Sequence, residues 1–297
     1  MADPARVAVY LDFDNIVMSW YDRVHGRNSY GKDRQQIAND PTDATIVERL
    51  AAATVDVAAV IDYAASYGTL VLTRAYADWS NPVNAEYRSQ LVARAVDLVQ
   101  LFPAAAYAKN GADIRLAVDA VEDMFRLPDL THVVIVAGDS DYVPLAQRCK
   151  RLGRYVLGVG VAGSTAKSLA AACDEFATYE SLPGVTPLVI EAEKKPSRPR
   201  GSRAAARKAD DPAATAKTLL ERALRMGQDK EDADWLHSSA VKQHMRRMDP
   251  SFSEKALGYR SFSDFVKANE SIADIQETGH ERLVRLRDQG EDTANAG

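Results

Sequence analysis

Five aspartates stand where apolar stretches of this chain end or amphipathic ones begin. RVAVYLDF leads into Asp12-Phe13-Asp14-Asn15, HVVIVAG leads into Gly138-Asp139-Ser140-Asp141, and Lys109-Asn110-Gly111-Ala112-Asp113 opens an amphipathic segment. A lone aspartate at such a junction caps a helix by accepting backbone N–H bonds. Several carboxylates gathered at one edge repel one another unless a cation neutralises them. With no His or Cys among them, the donor set is all oxygen, which suits Mg²⁺ or Mn²⁺. The chemistry expected of such a site is phosphodiester hydrolysis, in which the metal lowers the pKa of a bound water and neutralises charge developing on phosphate. Asn15 could orient a water or phosphate there, or cap a helix.

These residues need a frame that brings distant segments to one edge. Short apolar runs (RVAVYLDF, TLVLTRAYA, LVQLFPA, HVVIVAG, YVLGVGV) alternate with helical patterns at about 45–66, 87–96, 113–125, 141–151 and 165–172. That alternation predicts βαβ units wound into a parallel sheet with helices on both faces, an α/β Rossmannoid fold. HVVIVAG and YVLGVGV are apolar on both sides, as a sheet covered on both faces requires. In such a sheet the site lies at the carboxyl ends of the strands, where Asp12, Asp139 and Asp141 fall. Asp113 falls in the first turn of its helix, near the same edge. Asp14 shares a strand face with Asp12 if the strand continues that far.

Taken in order, LDFDN, AKNGADIRLAVDA and VIVAGDSDYVPL resemble the NYN domains of the PIN-like nuclease superfamily, close to the LabA-like group, over residues 5–182. The resemblance implies a metal-dependent ribonuclease whose acidic residues are Asp12, Asp113, Asp139 and Asp141. Asn15 also matches the motif, and Lys109, shortly before Asp113, is expected to touch RNA. Asp119 falls within the pattern too, but it lies about 240° around the helix from Asp113, so the two are not expected on one metal. It joins Asp14 in a second tier.

Past residue 182 the composition changes. The segment 183–212 contains KKPSRPRGSRAAARK, basic and without large apolar side chains, and reads as a flexible linker that either solvates itself or adds phosphate contacts. Residues 213–288 suggest three helices and a hairpin of Ile272–Gln276 and Arg282–Leu286 around Gly279, the pattern of a winged helix-turn-helix. LHSSAVKQHMRRMDPSFSEKALGYRSFSDFVKAN is similar to the LOTUS, or OST-HTH, domain. That resemblance implies RNA binding, and Lys242, Arg246 and Arg247 give one helix a basic face. The architecture serves protein contacts as well, so a protein partner or a homo-oligomer through this domain is also compatible with it. Residues 289–297 read as a disordered tail.

The net charge of −5 argues against coating nucleic acid by bulk electrostatics, so RNA contacts must be local. No apolar run is long enough to cross a bilayer and no signal peptide is evident, which makes the cytoplasm the expected location. Cys149 and Cys173 read as core thiols rather than a zinc pair. Gly158–Gly163 formally matches a dinucleotide fingerprint but sits after the fifth strand, so the glycines are read as turn residues that could present N–H groups to a phosphate. Residues 22–41 read as a loop rich in Arg, Lys and Tyr beside the site. Arg74, Tyr76 and Trp79 either stack a base or pack the rim. The competing view of the whole is a non-catalytic RNA-binding or regulatory protein with a vestigial acidic pocket.

Overall fold

The computed structural model describes residues 4–102, 111–185, 212–231, 233–278 and 281–287. The chain divides into two compact units, Met1–Pro187 and Leu188–Gly297.

In the first unit the elements run β1 (Arg6–Asp12), α1 (Phe13–His25), α2 (Ser29–Asn39), α3 (Ala44–Ala52), α4 (Val57–Ala65), β2 (Thr69–Ala77), α5 (Pro82–Ala85), α6 (Arg88–Ala93) and β3 (Asp97–Gln100). They continue with α7 (Gly111–Arg126), β4 (His132–Val136), a 3-10 turn (Ser140–Tyr142), α8 (Val143–Arg151), β5 (Tyr155–Gly160), α9 (Lys167–Ala172) and β6 (Glu175–Thr178). The six strands pair in parallel in the order β3-β2-β1-β4-β5-β6. From β1 the chain adds strands on one side, then crosses back and adds the rest on the other. The reversal falls between β1 and β4, whose carboxyl ends carry Asp12 and Gly138-Asp139, and a crevice at that point is where α/β sheets place their ligands.

Burial explains why this edge is rigid. Val7–Leu11 and Val133–Val136 are almost wholly shielded from water, each aliphatic side chain contributing roughly 1.5–3 kcal/mol. Ala8 and Tyr10 face a core completed by Leu116, Ala120 and Met124 of α7, Leu145 and Cys149 of α8 and Leu169 of α9. Val7, Val9 and Leu11 alternate to the other side, where α1 and α4 approach the strands. Both cysteines are buried free thiols, and burial pushes each up to about 12.

Two helical expectations change. The single helix expected over 45–66 is α3 and α4, because Asp56 caps a new helix by accepting from the Ala59 N–H at 3.0 Å. Tyr87 and Tyr179 hydroxyls accept the N–H groups of Val55 and Asp56 and fix the break. The expected loop at 22–41 contains α2 instead. SYGKDRQQIAN buries only Ser29, Tyr30 and Ile37, too sparse an apolar pattern to announce a helix.

The second unit comprises α10 (Pro212–Glu231), β7 (Leu236–His237), α11 (Ser238–Met248), α12 (Phe262–Lys267), β8 (Ala273–Thr278) and β9 (Glu281–Leu286). Its sheet is antiparallel in the order β7-β9-β8. Leu220, Leu224, Val241, Met245, Phe265 and Val266 make its core. Ser261 caps α12 through the Asp264 N–H, and Phe252, Phe262 and Phe265 pack ring on ring at 5.3–6.3 Å.

Candidate active site

Asp12 is the last residue of β1 and the cap of α1, its Oδ1 accepting the Asn15 N–H at 3.1 Å. It is only 4% exposed. Its Oδ2 accepts the Tyr142 hydroxyl at 2.8 Å. Burial pushes its carboxyl up to about 7, with Asp113 and Asp14 adding repulsion against the hydrogen bonds from Tyr142 and the Asn15 N–H. Asp113, in the first turn of α7, is also raised: burial acts first, the Tyr142 hydroxyl opposes it, and Asp139 and Asp141 add to it. Tyr142 thus stands between two carboxylates with one proton to give, and burial and both neighbours hold its hydroxyl far above the ordinary phenol range.

Asp139 and Asp141 are exposed at the rim. Asp139 caps the 3-10 turn, accepting from the Asp141 N–H at 3.1 Å. That turn aims Tyr142 inward while leaving both carboxylates outside. The four aspartates therefore belong to one electrostatic neighbourhood, Asp12 buried, Asp113 half-buried and two at the lip. Among the described residues, no three His, Cys, Asp or Glu are placed as a ready ligand set for a metal ion. The donor chemistry fits a hard divalent cation: all the ligating atoms are oxygen, and two of the carboxylates are pushed up in a way that a cation would reverse.

Asn15 does not cap α1, a place held by Asp12. Its Oδ1 accepts the Gly138 N–H at 3.0 Å, tying the end of β1 to the residue before Asp139. Asp14 does not share a face with Asp12, because the strand has already become helix. Its oxygens accept from Asn84 Nδ2 at 2.6 Å and the Asp78 N–H at 3.3 Å, and burial raises its pKa against those bonds and the nearby Arg34. Asp119 is directed at the sheet, taken by the Tyr76 hydroxyl at 3.1 Å and Arg115 Nε at 3.0 Å. Lys109, the basic segment of 183–212, Gly279 and the tail 289–297 lie outside the described residues.

Other expectations resolve as packing. Tyr76 and Trp79 are buried, Trp79 donating to the Val99 carbonyl and stacking on Phe13, so neither offers a face to a base. Arg74 is ion-paired with Asp123. In 22–41, Tyr30 is buried, Arg23 bonds Glu180 at 2.9 Å and His25 the Arg49 carbonyl; Arg27, Lys32 and Arg34 remain exposed. Gly158 and Gly160 lie within β5 and are there for contact: a Cβ at Gly158 would lie 2.4 Å from the Phe176 ring and one at Gly160 2.3 Å from Thr165 Oγ1, whereas Gly163, after the strand, turns the chain at φ +85°. Four loop N–H groups are committed, Ala162 to Glu180, Ser164 and Thr165 to the Val161 carbonyl, Ala166 to the Gly138 carbonyl, and are not offered to a phosphate.

Sequence reasoning missed Tyr142, Asn84 and Asp78. The only signal for Tyr142 was its place directly after Asp141; nothing along the chain marks Asn84 or Asp78.

Residues 6–180 match the NYN domain family. The chain belongs to the NYN family. No curated protein matches it. A solved structure of a protein of unknown function from Vibrio parahaemolyticus is similar to part of it at 20% identity, with a TM-score of 0.43, covering 60% of this chain and 94% of that one. The NYN match encloses Asp12, Asp113, Asp139 and Asp141. Residues 211–285 match the OST-HTH/LOTUS domain, so a domain of the nuclease superfamily and one of an RNA-binding class occupy the same chain. No helix among the described residues is long and apolar enough to cross a membrane.

On the LOTUS unit the three expected RNA contacts differ. Lys242 is paired at 2.5 Å with Glu254, which is itself buried. Burial would raise Glu254, but Lys242 and Arg246 hold it below its usual range. Arg247 is exposed on α11.

Proposed function

We propose that this NYN protein is a metal-dependent endoribonuclease, hydrolysing RNA phosphodiester bonds at the carboxyl edge of β1 and β4, with the LOTUS unit recruiting the RNA. The observation that carries this reading is Asp12: a buried carboxylate facing a second acid across one tyrosine hydroxyl, at the switch point of the sheet. Asp12 and Asp113, with Asp139 and Asp141 at the lip, would hold Mg²⁺ or Mn²⁺. The ion, when bound, supplies an activated water and counter-charge for the phosphate. The chain's own part is positional. Tyr142 donates to Asp12 and keeps Asp113 beside it; Asn15 locks Gly138, and with it Asp139, to the end of β1. Arg247, Arg246 and Lys242 on α11 and Lys109 before α7 are proposed to contact RNA. The working boundaries are 5–182 for the nuclease domain, 183–212 for a basic linker, 213–288 for the LOTUS domain and 289–297 for a tail, and the proposed location is the cytoplasm.

The test compares purified wild type with Asp139→Asn on labelled single-stranded and structured RNA in Mg²⁺, Mn²⁺ or chelator. Metal-dependent cleavage by wild type alone is expected; equal cleavage by both points to a contaminant. One observation favours a second reading, a regulatory RNA binder with a vestigial pocket: the described carboxylates do not form a ready three-ligand set. RNA binding by both proteins with cleavage by neither would select it.

A further inference from the structure

Helix α7 packs on the sheet through Leu116, Ala120 and Met124, and its opposite side is apolar too. Ile114, Val118 and Phe125 are 64%, 56% and 70% exposed, and Val121, partly buried against the same core, borders them. A helix already docked on one side is expected to be polar on the other. A line of large apolar side chains in water marks a contact surface. The other exposed large hydrophobics of the described residues (Met18, Val47, Val92, Tyr155 and Met226, each on a different element, and Phe102 after β3) form no line along one helix.

The positions 114, 118, 121 and 125 step by four, three and four residues, the d-a-d-a seam along which two helices pack knobs into holes. We propose that α7 pairs antiparallel with α7 of a second copy of this chain. Such a pair sets each a residue against a d residue of the other helix. Val118 then meets the partner's Val121, and Ile114 the partner's Phe125. The flanking position after each d residue holds Arg115 and Glu122, which have opposite charges. The two-fold axis of an antiparallel pair brings Arg115 of each helix to Glu122 of the other, twice over. A parallel pair would turn the same charges toward Ala117 and Met124, which carry none. A different protein would have to supply this complement, whereas α7 supplies its own.

In the single chain Arg115 bonds Asp119 and Glu122 bonds Arg126, with Arg115, Glu122 and Arg126 more than half exposed; surface pairs of this kind hold little free energy, so exchanging partners costs little. The face offers a few hundred Å² per copy, at the low end for specific interfaces, and the dimer should dissociate at about 10–100 µM. Because each α7 starts at its own acidic edge, the two Asp113 backbones would sit about 20 Å apart along the pair.

The test is sedimentation and light-scattering mass of the full chain from about 1 to 200 µM, a range bracketing that affinity. Expected is a rise from one chain to two. Val118→Arg, on an exposed position, should hold the protein at one chain with its melting temperature unchanged. Arg115→Glu should weaken association about tenfold by opposing like charges, and Arg115→Glu with Glu122→Arg should restore it. A single chain at every concentration overturns the proposal, as does a dimer indifferent to Val118→Arg. A charge swap without rescue rules out the antiparallel pair. A monomer that Val118→Arg destabilises would mean that a segment of the same chain covers the face. Mass is read without RNA or metal, so these outcomes are independent of whether the chain cleaves.

Discussion

Helix α7 carries two sets of carboxylates that solve the same problem in opposite ways. Asp119 and Asp123, one turn apart, dock the helix on β2 and β1: Tyr76 and Arg115 bond the first, Tyr10 and Arg74 the second. Each has a guanidinium at hand, so its charge is answered inside the protein. Asp113, two turns earlier, faces Asp12 with only the Tyr142 hydroxyl between them. Burial without a cation pushes Asp12 up to about 7. The contrast shows that this protein can neutralise a buried carboxylate and at the edge does not. A structural acid is given its counter-ion, and under the proposed function the charge left unanswered at the edge is the one an external cation would meet.

The largest expected effect strikes the unanswered set. Asp12→Asn should lower metal-dependent RNA cleavage by about 10²–10³-fold. The same substitution should raise the unfolding free energy of metal-free protein at pH 8, since it removes a charge that burial opposes. Cleavage lost together with stability would mean instead that Asp12 is structural.

A pH series separates the two sets further. The unfolded chain ionises Asp12 near 3.8 and the folded protein near 7, so between those values the folded state binds more protons. This group's contribution is therefore favourable below pH 4, declines as pH rises to 7 and is flat above. Wild type should lose about 3–4 kcal/mol relative to Asp12→Asn across that window, measured by urea unfolding without metal. Mn²⁺ should stabilise wild type more at pH 8 than at pH 5, because protons compete with it. An identical Mn²⁺ effect at both values would sink the metal reading of this edge.

The answered set predicts the reverse pattern. Asp123→Ala leaves Arg74 half-buried without its carboxylate and should cost about 3 kcal/mol at neutral pH, with no gain from added metal. The smallest effect belongs to Tyr142→Phe, which removes one hydrogen bond and should cost about 1 kcal/mol at pH 8. With that donor gone, Asp12 should titrate still higher, so the acid limb of the cleavage profile should move to higher pH. An unmoved limb with the same loss of stability would make Tyr142 a packing residue only.

Much of this was legible along the chain because it depends on local pattern. Alternating apolar runs and helical periods specify a parallel sheet whatever the details of packing, and the runs ending in Asp12 and Asp139 could only place those residues at its carboxyl edge. The second domain was readable for the same reason, its aromatic spacing in SFSDFVK building one helix face. What local pattern could not carry was pairing across distance. Asn15 bonding Gly138, Tyr142 bonding Asp12 and Asn84 bonding Asp14 join residues 123, 130 and 70 positions apart, and no periodicity encodes a hydrogen bond between them. Helix α2 was hidden because its stability comes from what Tyr30 and Ile37 bury, not from its own sequence. Residue types and their order determined the acidic edge; only the tertiary structure decided which acids are given a counter-charge, because charge compensation depends on neighbours that the chain order does not specify.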